Sequence, residues 1–104
     1  MLTVKCENDN CKHKLTMEGH CASAPKGEDL VCAAASILAQ TMAQVLEENE
    51  DKLVSVNKKI NEGDVVLEWE AKPEYEPALR NVLYGIMTGF KLLYYNEPDY
   101  IIVQ

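Results

Sequence analysis

Two side chains in the first third of the sequence, Cys32 and His20, could together perform nucleophilic chemistry. A cysteine thiolate is a strong nucleophile, and a nearby histidine can take the thiol proton and later protonate a leaving amine, as in a cysteine protease. Each residue also has an ordinary structural explanation. Cys32 is followed by three alanines, as a small core residue would be, and His20 could be a surface histidine at a hairpin end. The elements that position the two residues are therefore decisive.

The segment before His20 has the pattern of a β-hairpin. Residues 2–6 and 11–18 alternate apolar and polar side chains, as half-buried strands do, and the Asn and Asp residues between them favour a turn. The hairpin would end at His20, and a loop of small residues would follow as far as Gly27. Such a loop can fold back and bring the imidazole to the start of the next element.

That next element is predicted to be a helix from about Asp29 to Glu48, with Asp29 as its N-cap. Cys32 would lie in the first turn, where unpaired N–H groups and the helix dipole favour an anion. A helix N-terminus can lower a thiol pKa from about 8.5 into the range of roughly 3.5–7.5. The negative charges of Glu28 and Asp29 act in the opposite direction. The predicted buried stripe comprises Val31, Ala34, Ala35, Leu38, Met42, Val45 and Leu46.

The segment from Gly19 to Ser36 resembles the signature of the ribosomal-processing cysteine proteases of bacteria. The shared pattern is Gly-His, a short loop that ends in Gly-x-Asp, an apolar pair, and then Cys-Ala-Ala-x-Ser. Here it is carried by Gly19-His20, Gly27-Glu28-Asp29, Leu30-Val31 and Cys32-Ala33-Ala34-Ala35-Ser36, and the His-to-Cys spacing matches without a gap. Chain length and element order agree as well, so the resemblance covers the whole chain. This motif is far more specific than an isolated Cys–His pair.

The resemblance implies that Cys32 is the nucleophile and His20 the general base. Asp29 matches the motif aspartate, which could orient the histidine, cap the helix, or do both. Ser36 lies one helical turn beyond Cys32 and either hydrogen-bonds within the site or satisfies a backbone carbonyl. Gly19 and Gly27 are expected to give backbone freedom to the two ends of a mobile loop.

The reaction that the resemblance implies is removal of a short N-terminal extension from a large-subunit ribosomal protein during ribosome assembly. Similar phage proteins are associated with trimming of capsid or scaffold proteins, so a phage structural protein is an alternative substrate. A non-catalytic protein-binding module on the same fold is a further alternative. The N–H groups at the helix start would stabilise the oxyanion, residues 21–26 would form a lid, and a hydrophobic groove is expected near Cys32. The family also implies a homodimer, and aromatic residues of the second helix could form the dimer contact. It implies no cofactor.

The rest of the chain predicts a single α+β domain over residues 1–104, with a mixed or mostly antiparallel sheet packed by two helices in the order β-β-α-β-β-α-β. Residues 53–59 and 65–71 form a second predicted hairpin, and residues 100–103 a last strand. Between them, Pro77 lies near the start of the second helix. Gly85 and Gly89 share a face of this helix and could let a neighbouring element approach. Its predicted buried stripe comprises Leu79, Val82, Leu83, Ile86, Phe90 and Leu93.

The composition limits the partners. The net charge is −7, with 17 acidic residues against 10 basic ones, which argues against nucleic-acid binding and favours a basic protein partner. No uninterrupted apolar run approaches the roughly 20 residues of a bilayer span, and residues 1–14 alternate rather than form the apolar block of a signal peptide. A cytoplasmic protein without membrane contact is therefore expected.

The four cysteines are Cys6, Cys11, Cys21 and Cys32, and in the cytoplasm they are expected to be thiols. Cys21 departs from the family pattern, which usually has alanine there. Together with His13 and His20, the cysteines of the first hairpin offer soft ligands that would suit zinc. Their spacing does not match a recognised zinc pattern, however, so no metal is expected.

Overall fold

The computed structural model of the chain describes residues 1–19 and 26–104, with the side chains of all of these except residues 26–29. The elements follow the predicted order. They are β1 (Leu2–Asp9), β2 (Lys12–Gly19), α1 (Lys26–Glu48), a short 3₁₀ turn (Glu50–Lys52), β3 (Leu53–Asn61), β4 (Asp64–Ala71), α2 (Glu76–Asn96) and β5 (Ile101–Val103).

The strands form one five-stranded sheet in the order β3-β4-β2-β1-β5. The pairs β3–β4, β4–β2 and β2–β1 are antiparallel, and β5 is parallel to β1. The predicted α+β fold with a mixed, mostly antiparallel sheet is therefore confirmed.

One face of the sheet carries the core. In β2, His13, Leu15 and Met17 are buried while the residues between them are not, and the partners of Leu15 and Met17 in β4 are Leu67 and Val65. The opposite face carries polar and charged side chains such as Lys14 and Glu68. This period of two arises because the two helices cover a single face.

Of the predicted stripe of α1, Val31, Ala35, Met42 and Leu46 are buried, and the structure adds Ala39 and Ala43. The other predicted members, Ala34, Leu38 and Val45, are only half-buried. In α2 the buried apolar residues are Leu79, Leu83, Ile86 and Phe90. The periodicity assigns Val82 to this stripe as well, but it is 37% exposed. Gly89 faces α1, since a Cβ added to it would lie 2.7 Å from Leu38 Cδ2, whereas one added to Gly85 would meet nothing within 4 Å. Only Gly89 therefore serves the predicted close approach.

By length and composition, Leu30–Glu48 of α1 could cross a membrane, contrary to the expectation drawn from uninterrupted apolar runs. The core helix of a globular domain passes the same test. In this helix 33% of the window is buried inside the domain, including Val31, Met42 and Leu46.

Candidate active site

Cys32 is the seventh residue of α1, which begins at Lys26. It is half-buried and packs against the hydrophobic core, next to the buried Val31. Its sulfur is disulfide-bonded, whereas Cys6 and Cys11 carry free thiols. The expectation that all the cysteines are thiols is therefore wrong for Cys32.

Helix α1 begins three residues before the predicted N-cap, so Asp29 lies within the helix and the capping interpretation is wrong. The helix extends upstream because Lys26 and Glu28 are strong helix formers. The unpaired N–H groups are those of the first four residues, and they lie roughly 4.5–9 Å from Cys32 along the helix axis. Cys32 is thus beyond the first turn, where the dipole acts most strongly. The expected oxyanion donors at the helix start do not adjoin it.

The end of β2 has a backbone geometry that only glycine accommodates easily. Gly19 has φ +137°, and a Cβ at this position would overlap the carbonyl oxygen of Met1. Its N–H donates to the carbonyl of Gly63 at 3.1 Å. Gly19 therefore adopts a conformation that other residues rarely adopt.

His20 itself lies outside the described residues, as does Cys21. The described elements on either side, β2 and α1, can be placed relative to each other. Helix α1 leads through a short turn to Leu53, which pairs with Ala71, and Ala71 donates to the carbonyl of Cys11 at the start of β2. The C-terminal end of α1 thus lies where β2 begins, so its N-terminal end, with Cys32, lies where β2 ends.

The remaining predicted site residues lie on α1. Gly27 is part of its first turn rather than of the preceding loop, contrary to the sequence-based expectation. Ser36 is half-buried, and within the described part of the chain its hydroxyl forms no hydrogen bond. Because positions 29, 32 and 36 are spaced i, i+3 and i+7, the helix places them along one face.

Apolar surface borders Cys32 on α1. Leu30 is 68% exposed and Ile37 is 60% exposed, and Ala33 between them is exposed as well. Leu30, Ala33 and Ile37 are spaced i, i+3 and i+7, so they form a continuous apolar strip beside the cysteine. This strip is the described surface most similar to the expected hydrophobic groove.

A second polar cluster lies at the opposite end of β2, roughly 20 Å from Gly19 at the usual strand rise. His13 is 3% and Glu76 4% exposed. The Nε2 of His13 contacts both carboxylate oxygens, with Oε2 at 3.0 Å, and its Nδ1 lies 2.6 Å from Asn8 Oδ1. The Cys6 thiol also donates to that oxygen, at 3.7 Å. His13 and Glu76 thus form a buried pair, which is a salt bridge when the ring is protonated.

The His13 cluster bears on the zinc hypothesis. Both ring nitrogens of His13 are occupied by protein partners, so neither is available to a metal. Among the described residues, no group of three or more His, Cys, Asp or Glu side chains could hold a metal ion. From the sequence, His13 is considered only as a ligand. Its alternation with Leu15 and Met17 was the available signal that it is buried.

The chain is similar to proteins of known class. A sequence model described as cysteine protease Prp matches residues 1–102. SMU.848 from Streptococcus mutans has the same fold, with a TM-score of 0.75, 20% identity and coverage of 100% of this chain and 92% of its own. Two structures of the essential ribosomal processing protease Prp from S. aureus, one with a substrate peptide and one with a covalently linked product peptide, give TM-scores of 0.73 and 0.72. Both are 19% identical and cover 100% of this chain and 98% of theirs. None of the curated proteins is significantly similar in sequence.

Proposed function

Because the chain belongs to the Prp family of cysteine proteases, we propose that it is a cysteine endopeptidase that removes a short N-terminal extension from a large-subunit ribosomal protein. The observation that carries this proposal is the family match over residues 1–102, which includes every residue of the Cys–His motif. The S. aureus protein of the same fold is a ribosomal processing protease, and it supports the choice of substrate.

In the proposed mechanism, His20 takes the proton of Cys32, and the thiolate attacks the scissile carbonyl to form a tetrahedral intermediate. His20 then protonates the departing amine, which leaves a thioester between the N-terminal fragment and Cys32. Water, deprotonated by His20, hydrolyses this thioester and regenerates the thiol. Asp29 is a positioning residue for His20, since it shares a helix face with Cys32 and does not cap the helix. Ser36 would support the same face by hydrogen bonding.

Substrate binding would use two properties of the described surface. The apolar strip Leu30, Ala33 and Ile37 lies beside Cys32 and is available to apolar side chains next to the scissile bond. The net charge of −7 favours a basic protein such as a ribosomal protein, mainly by increasing its rate of encounter.

We further propose that the protein acts in the cytoplasm as a homodimer. Tyr84, Leu92 and Tyr95 of α2 are 54%, 56% and 71% exposed. Their spacing places them on one side of the helix, where they provide an apolar surface for a second copy.

The test is a cleavage assay in reducing buffer. Wild type, Cys32→Ala and His20→Ala are each mixed with the extended ribosomal protein from the same organism, and the products are identified by intact mass. Cys11→Ala is the matched control, because it removes a free thiol at the far end of β2. We expect a defined N-terminal loss with wild type and the control, and none with the other two variants.

Other outcomes would contradict parts of the proposal. Cleavage that survives Cys32→Ala would exclude Cys32 as the nucleophile. If the ribosomal protein stays intact and a phage capsid or scaffold protein is trimmed, the substrate is the phage protein rather than the ribosomal one. If both substrates bind to wild type but stay intact, the protein is a binding module.

A further inference from the structure

Strand β3 forms a long, uncovered edge of the sheet. It has nine residues and pairs with β4 alone among the described strands, whereas β5 at the opposite edge has three residues. Val54 and Ile60 on β3 are 58% and 46% exposed, and the strand contains no proline. Natural proteins usually shorten, cover or interrupt an edge of this length, because it is a template for a further strand. The edge is therefore a candidate interaction surface.

The hydrogen-bonding pattern of β4 shows which backbone groups of β3 face the free edge. The N–H of Ala71 donates to the carbonyl of Cys11, on the β2 side of β4. Successive residues of a strand bond to alternate neighbours, so the odd-numbered residues of β4 face β2 and the even-numbered residues face β3. The β3 partners of the even-numbered residues are Ser55, Asn57, Lys59 and Asn61.

The backbone N–H and C=O groups of Val56, Lys58 and Ile60 therefore point away from β4, along the free edge. No backbone group of the described chain bonds to them. These are six hydrogen-bonding groups in a row, on every second residue, and they match the main chain of an extended peptide. In strand addition such main-chain bonds supply the affinity.

A groove beside this edge has room for side chains of an added strand. It lies between α1 and β3 and has a volume of about 330 Å³. Its walls are formed by Gln40, Ala43, Gln44, Glu47, Lys58 and Ile60. Pockets for alternate side chains supply the specificity of strand addition, so the edge and the groove together form a surface for an extended peptide.

The groove continues into the apolar strip beside Cys32. Along α1 the strip and the groove wall follow one another at alternating spacings of three and four residues, and so share one helix face. The members of this face are Leu30, Ala33, Ile37, Gln40, Gln44 and Glu47. Eight residues separate Cys32 from Gln40, or about 12 Å along the helix axis. About four residues of extended peptide span this distance.

We propose that the free edge of β3 binds the protein substrate by strand addition. The segment bound lies on the C-terminal side of the scissile bond, from about the fourth residue onward. The proposal rests on the proposed function, in which Cys32 is the nucleophile. Because the extension that is removed is short, the mature part of the substrate is the side with enough chain to fill the groove.

The charges around the groove favour a basic segment over a second copy of this chain. Glu47, Glu48, Glu50 and Asp51 lie at the end of the groove away from Cys32, are exposed, and form no salt bridge with the described residues. A basic segment would neutralise these carboxylates. Two copies of β3 paired antiparallel about Lys58 would instead place like charges directly opposite each other, which is destabilising.

The first experiment measures cleavage of synthetic peptides that cover the cleavage site of the extended ribosomal protein. The peptides end at increasing distances beyond the scissile bond, from roughly two to ten residues. We expect kcat/KM of the reduced wild type to rise at least about tenfold once the peptide reaches the edge, mainly through a lower KM. Each main-chain hydrogen bond contributes roughly two- to tenfold.

A second set of peptides carries a single N-methyl group at successive positions of the docked segment. In an added strand only every second N–H faces β3. Methylation should therefore lower kcat/KM by roughly two- to tenfold at alternate positions and leave the positions between them within about twofold. A segment that binds through its side chains alone would show no such alternation.

Two protein variants test the same bonds from the side of the edge. Lys58→Pro removes the outward N–H, whereas Lys58→Ala removes the same side chain and keeps that N–H. Proline is tolerated on an edge strand where the N–H faces solvent, and thermal unfolding checks that both variants fold. Relative to Lys58→Ala, Lys58→Pro should cleave the long peptides roughly two- to tenfold less efficiently and the short ones equally well.

The charge of the groove is tested separately. Glu47→Lys should weaken cleavage of the long basic peptides more than Glu97→Lys, which makes the same charge change at an exposed position after α2. Equal effects of the two variants would show that net charge, rather than the groove, attracts the substrate, and would overturn the docking of a basic segment there.

The outcomes separate the docking from the proteolysis. Cleavage that depends neither on peptide length nor on alternate methylation would overturn the docking and leave the protease in place. If reduced wild type cleaves neither the peptides nor the full ribosomal protein, the proposed function fails, and binding of the methylated peptides to Cys32→Ala then decides the docking. A changed sedimentation coefficient of Lys58→Pro with unchanged cleavage would assign the edge to a second copy.

Discussion

Replacement of Glu76 by alanine is expected to destabilise the fold by about 3–5 kcal/mol, because it removes one partner of the buried His13–Glu76 pair and leaves the other unsatisfied. The carboxylate is almost inaccessible to water and contacts His13 through both oxygens. The other ring nitrogen is held by Asn8, so the imidazole cannot turn toward solvent without losing that bond. In Glu76→Ala the ring would keep a buried Nε2 beside a cavity with no acceptor.

The measurement is urea unfolding of the reduced protein, with Glu74→Ala as the matched control. Glu74 is exposed and precedes Glu76 by two residues, so its replacement should change the free energy of unfolding by less than about 0.5 kcal/mol. In a thermal experiment, a domain of about this size loses roughly 4–8 °C in Tm per kcal/mol. Glu76→Ala should therefore unfold at least about 12 °C below the control.

A double-mutant cycle distinguishes the ion pair from simple loss of packing. Glu76→Leu leaves the His13 ring without the carboxyl group that it contacts, and His13→Leu leaves Glu76 with only the partly exposed Arg80, 3.7 Å away. The double variant replaces both buried groups by apolar side chains. We expect the double variant to be more stable than either single variant. The reasoning would be refuted if Glu76→Ala unfolds within about 1 kcal/mol of the control, or if the destabilisation by the two leucine substitutions is additive.

Four further predictions each follow from a single position. Gly19→Ala should cost more than about 1 kcal/mol, because its φ is +137° and a Cβ would overlap Met1. Gly85→Ala, which fills open space in α2, should instead stabilise the protein by up to about 1 kcal/mol. Equal Tm values for the Gly19→Ala and Gly85→Ala variants would contradict both predictions. Burial raises the pKa of Cys6, so at mildly alkaline pH its thiol should be alkylated more slowly than the same thiol in the unfolded chain. The difference in rate should shrink as the pH rises through the raised pKa. Identical alkylation rates at every pH would contradict this prediction. Tyr95→Glu should shift the sedimentation coefficient from dimer to monomer, and an unchanged value would remove this surface from the interface.

The fold was predictable because the alternation along the strands and the helical spacing along the helices have one cause, the burial of one face of each element in a shared core. A sheet covered on a single face must alternate buried and exposed residues, as β2 does with Leu15 and Met17. The covering helices must carry apolar side chains at helical spacing, as α1 does. The position of a helix start depends on smaller differences in propensity, and Asp29 resembles an N-cap whether or not the preceding residues are helical.

The buried pair of His13 and Glu76 could not be predicted in the same way. Its partners are 63 residues apart, and neither belongs to a motif. The contact depends on where α2 begins relative to β2, which is set by packing of whole elements rather than by local sequence. A histidine in the alternating pattern of β2 indicated burial, but only the assembled fold supplies the carboxyl group with which it pairs.

The early start of α1 changes how the nucleophile must be activated. A cysteine in the first helical turn could rely on the dipole and the unpaired N–H groups, but Cys32 lies beyond that turn. In the proposed mechanism, activation would therefore come mainly from His20 rather than from the helix dipole. His20 directly follows Gly19, where φ is +137° and an added Cβ would overlap the carbonyl oxygen of Met1. A side chain at position 19 would therefore strain the backbone next to the proposed base.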